Sequence, residues 1–337
     1  MSFNIPGYLN LFKTGELHER AVKLDSILSN CTLCPRNCKI NRKDGETGFC
    51  RSGYLPIVFS YSVHHGEEPV ISGTKGSGTI FFGNCNLRCI FCQNYQISQP
   101  EKSRRDKEIS FESLAEIMIE LQSKGCHNIN LVSPSHFTAQ IVKTVEIAAQ
   151  RGLKIPLVYN TNGYDSLETL KPLDGIIDIY LPDIKYSDDM RSFECSGAKD
   201  YVKHSRASIL EMKRQAGNLE VDDNGIAIKG LIIRHLVLPN GLAGSKESLN
   251  FISENIGRET FLSLMWQYFP TYRAGENTLL SRPVTDSEYE RVLDWFDIFG
   301  LENGWVQEYS SRDYYRPDFY KDTPFEMINP DFIPKNE

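Results

Sequence analysis

The sequence has no long apolar run. No stretch approaches the roughly 18 to 20 apolar residues that a membrane-crossing helix needs, so a helical membrane span is not expected. The opening MSFNIPGYLNLFKTGEL lacks a basic start followed by an apolar stretch, so no signal peptide is read and a cytoplasmic location is expected. Positive charge is not in excess: 37 Lys and Arg stand against 44 Asp and Glu, a formal net charge of −7. The chain as a whole therefore lacks the look of a polyanion binder, which leaves room only for a local basic patch. Internal repeats and low-complexity tracts are missing. An even cysteine count, as in a full disulfide framework, is missing too, because there are nine cysteines. What remains is ordinary globular composition, 40% hydrophobic and 24% charged over 337 residues. That length can bury a sizeable core and suggests one large domain with an appendage, or two domains.

Seven of the cysteines fall in two tight groups: Cys31, Cys34, Cys38 and Cys50, then Cys85, Cys89 and Cys92. In a reducing compartment, thiols clustered in this way are more often metal ligands than disulfides. Cys126 and Cys195 stand alone. Cys126 opens an apolar segment and reads as core, and Cys195 reads as an incidental thiol or one near the site.

Residues 1–75 are irregular in pattern and end in the Gly/Ser-rich run Ser72-Gly-Thr-Lys-Gly-Ser-Gly78, a boundary or tight turn. From residue 79, apolar runs alternate with amphipathic segments. Strands are predicted at 79–83, 128–132, 156–160, 176–181, 230–238 and 261–266. Helices are predicted at 111–124, 137–151, near 199–216, 246–256 and 286–299. Strand–helix alternation implies a parallel sheet covered by helices, as an open doubly wound sheet or a barrel. The tail from residue 300 is aromatic and irregular.

The sharpest motif is Gly83-Asn-Cys-Asn-Leu-Arg-Cys-Ile-Phe-Cys-Gln-Asn94, a C-x3-C-x2-C spacing just after a predicted strand. A [4Fe–4S] cube needs four ligands, so three close thiolates leave one iron open, as in metal sites that bind a substrate or cofactor. A zinc site, or a closed electron-transfer cluster borrowing a fourth cysteine, is the alternative. The motif resembles the C-x3-C-x-Φ-C signature of the radical S-adenosylmethionine (SAM) superfamily, with Phe91 at the aromatic place. The resemblance implies an α/β fold, a partial (β/α)6 parallel barrel with an N-terminal cysteine-rich extension. It implies a [4Fe–4S] cluster whose open iron is chelated by the methionine amine and carboxylate of SAM. One electron then breaks the S–C5′ bond, and the 5′-deoxyadenosyl radical abstracts a hydrogen atom. A low-potential electron donor such as flavodoxin or ferredoxin is implied as a partner.

Parallel barrels place function at the C-terminal ends of their strands. Ser133-Pro-Ser-His136 follows the second strand, where the superfamily often carries a Gly-Gly-Glu stretch for the methionine amine; Ser133 and Ser135 are the candidates to serve instead, or the segment is only a turn. Asn160-Thr-Asn-Gly163 and Leu181-Pro-Asp-Ile-Lys185 resemble the Asp-Thr-Asn-Gly and Asp-x-Lys segments of the pyruvate formate-lyase activating enzyme and its relatives, with Asn160 in place of the aspartate. The likeness implies that Asn160, Thr161, Asp183 and Lys185 help hold the methionine carboxylate. A solvated ion pair is the bland alternative for Asp183 and Lys185. Arg234-His-Leu-Val-Leu-Pro239 resembles the Arg-x-x-Val-x-Pro segment of the same branch. Adjacent strand residues face opposite ways, so only one of Arg234 and His235 looks inward, and Arg234 is expected to do so. Gln267-Tyr-Phe-Pro270 is a candidate adenine-side or substrate-side edge.

The first group, Cys31-Thr-Leu-Cys34-Pro-Arg-Asn-Cys38 with Cys50 beyond, reads as four thiolates closing a second metal site, zinc or iron–sulfur. Arg36, Lys39, Arg42, Lys43 and Arg51 outnumber Asp44 and Glu46 there, a basic surplus expected on a solvated face. The prelude, with Gly66-Glu-Glu-Pro-Val-Ile-Ser-Gly73, is similar to activating-enzyme-like radical proteins of ill-defined substrate. The organisation expected is a metal-binding extension at 1–75, the barrel at 76–275, and a helix with irregular tail at 276–337. The activity expected is that of an oxidoreductase abstracting hydrogen from a protein or peptide, as in forming a glycyl radical on a partner enzyme. Modification of a small metabolite or RNA base, and a non-catalytic electron-transfer or metal-scaffold role, are the alternatives.

Overall fold

A computed structural model describes residues 5–101, 104–307, 317–321 and 324. Nine strands form one sheet: β1 Val58–His64, β2 Ser77–Phe82, β3 Ile129–Val132, β4 Leu157–Thr161, β5 Ile179–Pro182, β6 Glu220–Val221, β7 Ala227–Leu236, β8 Phe261–Met265 and β9 Gly304–Val306. The longer helices are α1 Gly7–Thr14, α2 Glu16–Ile27, α3 Phe111–Ser123, α4 Thr138–Gln150, α5 Asp189–Ser196, α6 Tyr201–Ala216, α7 Ser245–Phe251 and α8 Asp286–Ile298. The spatial order is β1-β2-β3-β4-β5-β7-β8-β9, with β6 paired to β7. From β2 to β9 the main path is parallel, and β1 closes one edge antiparallel to β2. With β1 and β9 at its two edges, this is a partial parallel barrel.

Parallel neighbours need a crossover, usually a helix; α3, α4, α6, α7 and α8 supply five of the six, and the short helix Leu167–Leu170 lies in the sixth, between β4 and β5. Local chemistry sets their ends. The Ser110 hydroxyl accepts the Ser113 amide at 3.1 Å and starts α3, which buries Leu114, Met118 and Leu121 and gives way to Gly125 at φ +87°. Thr285 and Glu288 form a reciprocal capping box at the start of α8. All six residues of β2 are buried, as expected of a strand covered on both faces.

Three expectations change. The first 75 residues are not irregular throughout, because α1, α2 and β1 lie there. Their pattern was hidden because α2 alternates buried Leu17, Ala21 and Leu24 with charge, while β1 is only half-buried. The tail from residue 300 contributes β9, three residues too short to show a period; beyond 307 the tail lies mostly outside the described residues. The glycine-rich run near 72–78 ends inside β2.

Helix α1 closes the end of the barrel where the strands begin. The Gly7 amide donates to Asp178 Oδ1 at 3.1 Å and the Leu157 amide to Asp178 Oδ2 at 2.9 Å, while Tyr8 OH reaches the Ile155 carbonyl. Asp178 has no buried cation beside it, and burial pushes its carboxyl up to about 7. The other end stays open and carries the site.

Candidate active site

At the C-terminal ends of the strands lies a cavity of about 340 Å³. Cys85, Cys89 and Cys92 line it, from the loop that leaves β2. That loop is pinned from several sides. Asn84, at φ +66°, donates its amide to the Ile97 carbonyl. The Arg88 and Ile90 amides donate to the carbonyls of Ser196 and Cys195, each at 2.9 Å. Cys195 therefore lies beside the thiol loop, which its backbone carbonyl anchors.

Each sulfur meets a polar neighbour. Ser196 Oγ donates to Cys89 Sγ at 2.9 Å, Cys92 Sγ lies 3.2 Å from Ser98 Oγ, and the Leu87 amide and Asn162 Nδ2 each approach Cys85 Sγ at 3.4 Å. Burial raises all three thiols, Cys92 to about 12, and the neighbouring cysteines add to this at Cys85 and Cys92. At Cys89, Lys185 and the Ser196 hydroxyl pull the other way.

A buried charge cluster faces the sulfurs. Asp183 sits between two cations: Lys185 Nζ at 2.6 Å from Oδ2 and Arg234 Nε at 3.0 Å from Oδ1. Burial alone would raise Asp183, but the two cations hold it below the usual carboxylate value. Arg234 also donates to Asn160 Oδ1 and approaches Glu67 at 3.4 Å. Asn130 Nδ2 donates to Glu67 Oε1 at 2.9 Å. Burial raises Glu67 and Glu68, against the pull of Arg234.

Ser133, Asn160, Thr161, Asp183, Lys185 and Arg234 all line this cavity with the cysteine triplet. Ser133 does so at φ +59°, a conformation uncommon for a serine. The Asp183–Lys185 pair is buried, unlike the solvated pair that was the alternative. Arg234 faces the cavity, while His235 turns away to the Ile184 carbonyl and Ser245. Two hydroxyls are already committed elsewhere. Ser135 is 1% exposed and lies outside the cavity wall, bonded to Thr161 Oγ1 at 3.0 Å, and Thr161 donates to Asp165 Oδ2 at 2.6 Å. Gly163 is required where it stands: at φ +76°, a Cβ would meet the Asp183 carbonyl at 2.3 Å. Gln267 lines the wall as its strand-end position suggested.

Glu67 and Glu68 figure in the sequence reading only as part of the 66–73 segment, with no role at the site, and Ser196 is given none. Two adjacent acids before Pro69, opening an otherwise apolar segment, were the available signal for the first two; Ser196 carried none.

Cys31, Cys34, Cys38 and Cys50 come together in a second, much smaller pocket, with Arg36, Arg42 and His136. The basic surplus there is a solvated face only in part: Lys39, Lys43 and Arg51 are exposed, whereas Arg42 is 1% exposed and Arg36 half-buried. Arg36 donates to the carbonyls of Asn86 and Gly197, tying this module to the back of the triplet loop. Among the described residues, no group of three or more Cys, His, Asp or Glu side chains is placed to hold a metal ion as the side chains stand, so a metal here requires them to close on it. Cysteine ligates as thiolate, so binding a metal there is coupled to proton release.

The three-cysteine donor set fits an iron–sulfur cube with one iron left to a ligand. No fourth cysteine among the described residues lines the cavity, and the polar contacts to sulfur are of the kind that tune such clusters. Among the described residues no helix is long and apolar enough to cross a membrane.

The family model of the radical SAM superfamily matches residues 79–236. The uncharacterized protein MJ0674 of Methanocaldococcus jannaschii is 32% identical over 286 residues, covering 82% of this chain and 77% of that one. MJ0808 of the same organism is 28% identical over 268 residues, covering 74% of each chain. Among solved structures, methylornithine synthase (PylB) aligns with 96% of this chain and 88% of its own at 13% identity, with a TM-score of 0.47. A domain of a pyruvate-formate lyase-activating enzyme from Bacteroides vulgatus aligns with 51% and 92% at 12% identity, with a TM-score of 0.37.

Proposed function

The chain belongs to the radical SAM superfamily, and on that premise we propose that it is an activase-like enzyme taking hydrogen from a protein or peptide, with Cys85, Cys89 and Cys92 as the cluster ligands. The observation that carries the site assignment is the set of three sulfurs sharing one cavity wall with the Asp183, Lys185 and Arg234 charge cluster. When bound, the cluster and SAM supply a 5′-deoxyadenosyl radical; the protein supplies position and shelter from water.

The wall suits the amino-acid end of SAM. Burial raises Glu67 and Glu68, while Lys185 and Arg234 hold Asp183 below the usual carboxylate value. Lys185 and Arg234 both line the cavity, and such cations suit a carboxylate ligand. Asn160 and Ser133 add polar groups at the strand ends. Thr161 acts one step back, its hydroxyl holding Asp165 and the turn before Gly163. Support for a protein or peptide substrate comes from the Asn160–Gly163, Asp183–Lys185 and Arg234–Pro239 segments, which follow the motif order of the activating-enzyme branch.

Anaerobic reconstitution with iron and sulfide, then dithionite and SAM, tests the reading. The expected products are 5′-deoxyadenosine and methionine, even without substrate. A verified reduced cluster that yields neither would leave only a scaffold or electron-transfer role. With candidate glycyl-radical partners, a glycine-centred paramagnetic resonance signal is expected; its absence alongside SAM cleavage would remove the activase reading and keep the chemistry.

A further inference from the structure

The small pocket around the first cysteine group is unlike the active-site cavity in size and in what lines it. The Cys31 amide donates to the Ile40 carbonyl and the Lys39 amide returns to the Cys31 carbonyl, so residues 31–40 form a tight knuckle. Asn37 and Lys39, on either side of Cys38, both have positive φ. Gly48 presses its backbone onto this knuckle, and a Cβ there would stand 2.7 Å from Cys38 Sγ. The pocket enclosed by the four cysteines holds about 10 Å³, room for roughly one water-sized body and not for a cube of four irons and four sulfides.

Three buried polar atoms on side chains that line this pocket have no hydrogen-bond partner among the described residues: His136 Nδ1, Arg36 Nη2 and Arg42 Nη2. His136 is 1% exposed. Its Nε2 lies 2.9 Å from the Gly83 carbonyl, which can only accept, so Nε2 carries the proton and the neutral ring keeps a bare lone pair on Nδ1. A bare lone pair beside thiolates is repelled, whereas beside a metal ion it is a ligand. The two guanidinium groups are suitably placed to balance the negative charge that several thiolates leave on a divalent ion.

We propose that this pocket binds one thiophilic divalent ion of the zinc class, with His136 Nδ1 and three of the four cysteine sulfurs closing on it as its four ligands. The ring then joins two centres. Its second nitrogen holds the Gly83 carbonyl, two residues before Cys85, in the usual pattern of a metal-bound histidine oriented by its other N–H. The site is closed and structural, and it does not depend on the reaction proposed for the larger cavity.

The test uses the full chain with Cys85, Cys89 and Cys92 changed to Ala, so that the active-site cavity contributes no iron. Elemental analysis should find about one zinc per chain and no stoichiometric iron; several irons per chain with sulfide would overturn the mononuclear site. X-ray absorption at the zinc edge should show a nitrogen neighbour at ~2.0 Å beside sulfurs at ~2.3 Å. A shell of sulfur alone would overturn the histidine ligand, and this measurement needs no variant at His136. Cobalt substitution gives an independent reading: His136→Gln should shift the visible bands and weaken cobalt binding by about 10- to 100-fold. An unchanged spectrum and affinity would count against the ligand. Gly48→Ala should weaken the metal without removing any donor, by displacing Cys38.

Discussion

The two cysteine groups sit on opposite sides of one loop and teach different lessons about thiols. The triplet lies on the wall of a cavity of about 340 Å³, faced by Asp183, Lys185 and Arg234. The quartet encloses about 10 Å³ and is backed by Arg36, Arg42 and His136. Three sulfurs beside open space leave a coordination position for a ligand, while sulfurs and a histidine nitrogen gathered around one atom's worth of space leave none. The residue type is the same in both; the surrounding volume decides what it can do.

The strongest way to break that comparison is to remove one thiol from each side. Cys89→Ala should cut SAM cleavage by at least about a thousandfold, some 4 kcal/mol of barrier, measured as 5′-deoxyadenosine formed per reconstituted chain. Cys31→Ala should lower the thermal midpoint and metal content, with cleavage per folded molecule staying within about tenfold. Equal loss of turnover in both variants would erase the distinction between open and closed sites.

A second contrast concerns charge. Asp183→Asn leaves Lys185 and Arg234 buried without their anion, and should destabilise the fold by about 3–5 kcal/mol in urea unfolding. Glu276→Gln, which loosens an exposed pair with Arg273 on the surface, should cost at most about 1 kcal/mol. Similar costs for the two would mean that Asp183 is not the keystone of the buried cluster.

The two ends of the barrel offer a third. Asp183 lies between two cations that hold it below the usual carboxylate value; Asp178, at the closed end, has only the exposed Lys229 near it and is pushed up to about 7 by burial. Its folded value lies above the unfolded value of about 3.9, so the native state binds the proton more tightly. The stability this contributes is present at low pH and is lost as pH rises through 7. The stability difference between the native sequence and Asp178→Asn should therefore shrink by roughly 2–3 kcal/mol between pH 5 and pH 7 and then level off. A difference independent of pH would show that Asp178 is ionised throughout.

The smallest effect sharpens the view of the triplet itself. Ser196→Ala removes the hydroxyl that donates to Cys89 Sγ. The midpoint of a redox titration followed by paramagnetic resonance should move to a more negative potential, on the order of tens of millivolts. An unmoved midpoint would assign Ser196 to packing alone.

Much of the barrel was readable in advance. Runs such as residues 79–83 and 128–132 are apolar because strands covered on both faces must be, and α3 shows its stripe, its Ser110 cap and its Gly125 stop. The antiparallel edge β1 and the short β9 were not readable, since a half-buried edge strand and a three-residue strand carry almost no period. Arg234 over His235 followed from strand alternation. The burial of Arg36 and Arg42 did not, because a basic residue in a loop looks solvated until something folds over it.

The sequence by itself determined that three thiols would share one loop after a strand and that four more would share a knuckle, because spacing of a few residues sets local reach. It also determined which side chains would stand at the strand ends, through the two-residue period. Only the tertiary structure decided that Glu67, from before the barrel's first parallel strand, would meet Arg234 167 residues later. It alone set Ser196 against Cys89 and His136 between two cysteine groups. Those pairings depend on how strands stack and how loops cross their ends, and no local pattern encodes a distance across the barrel.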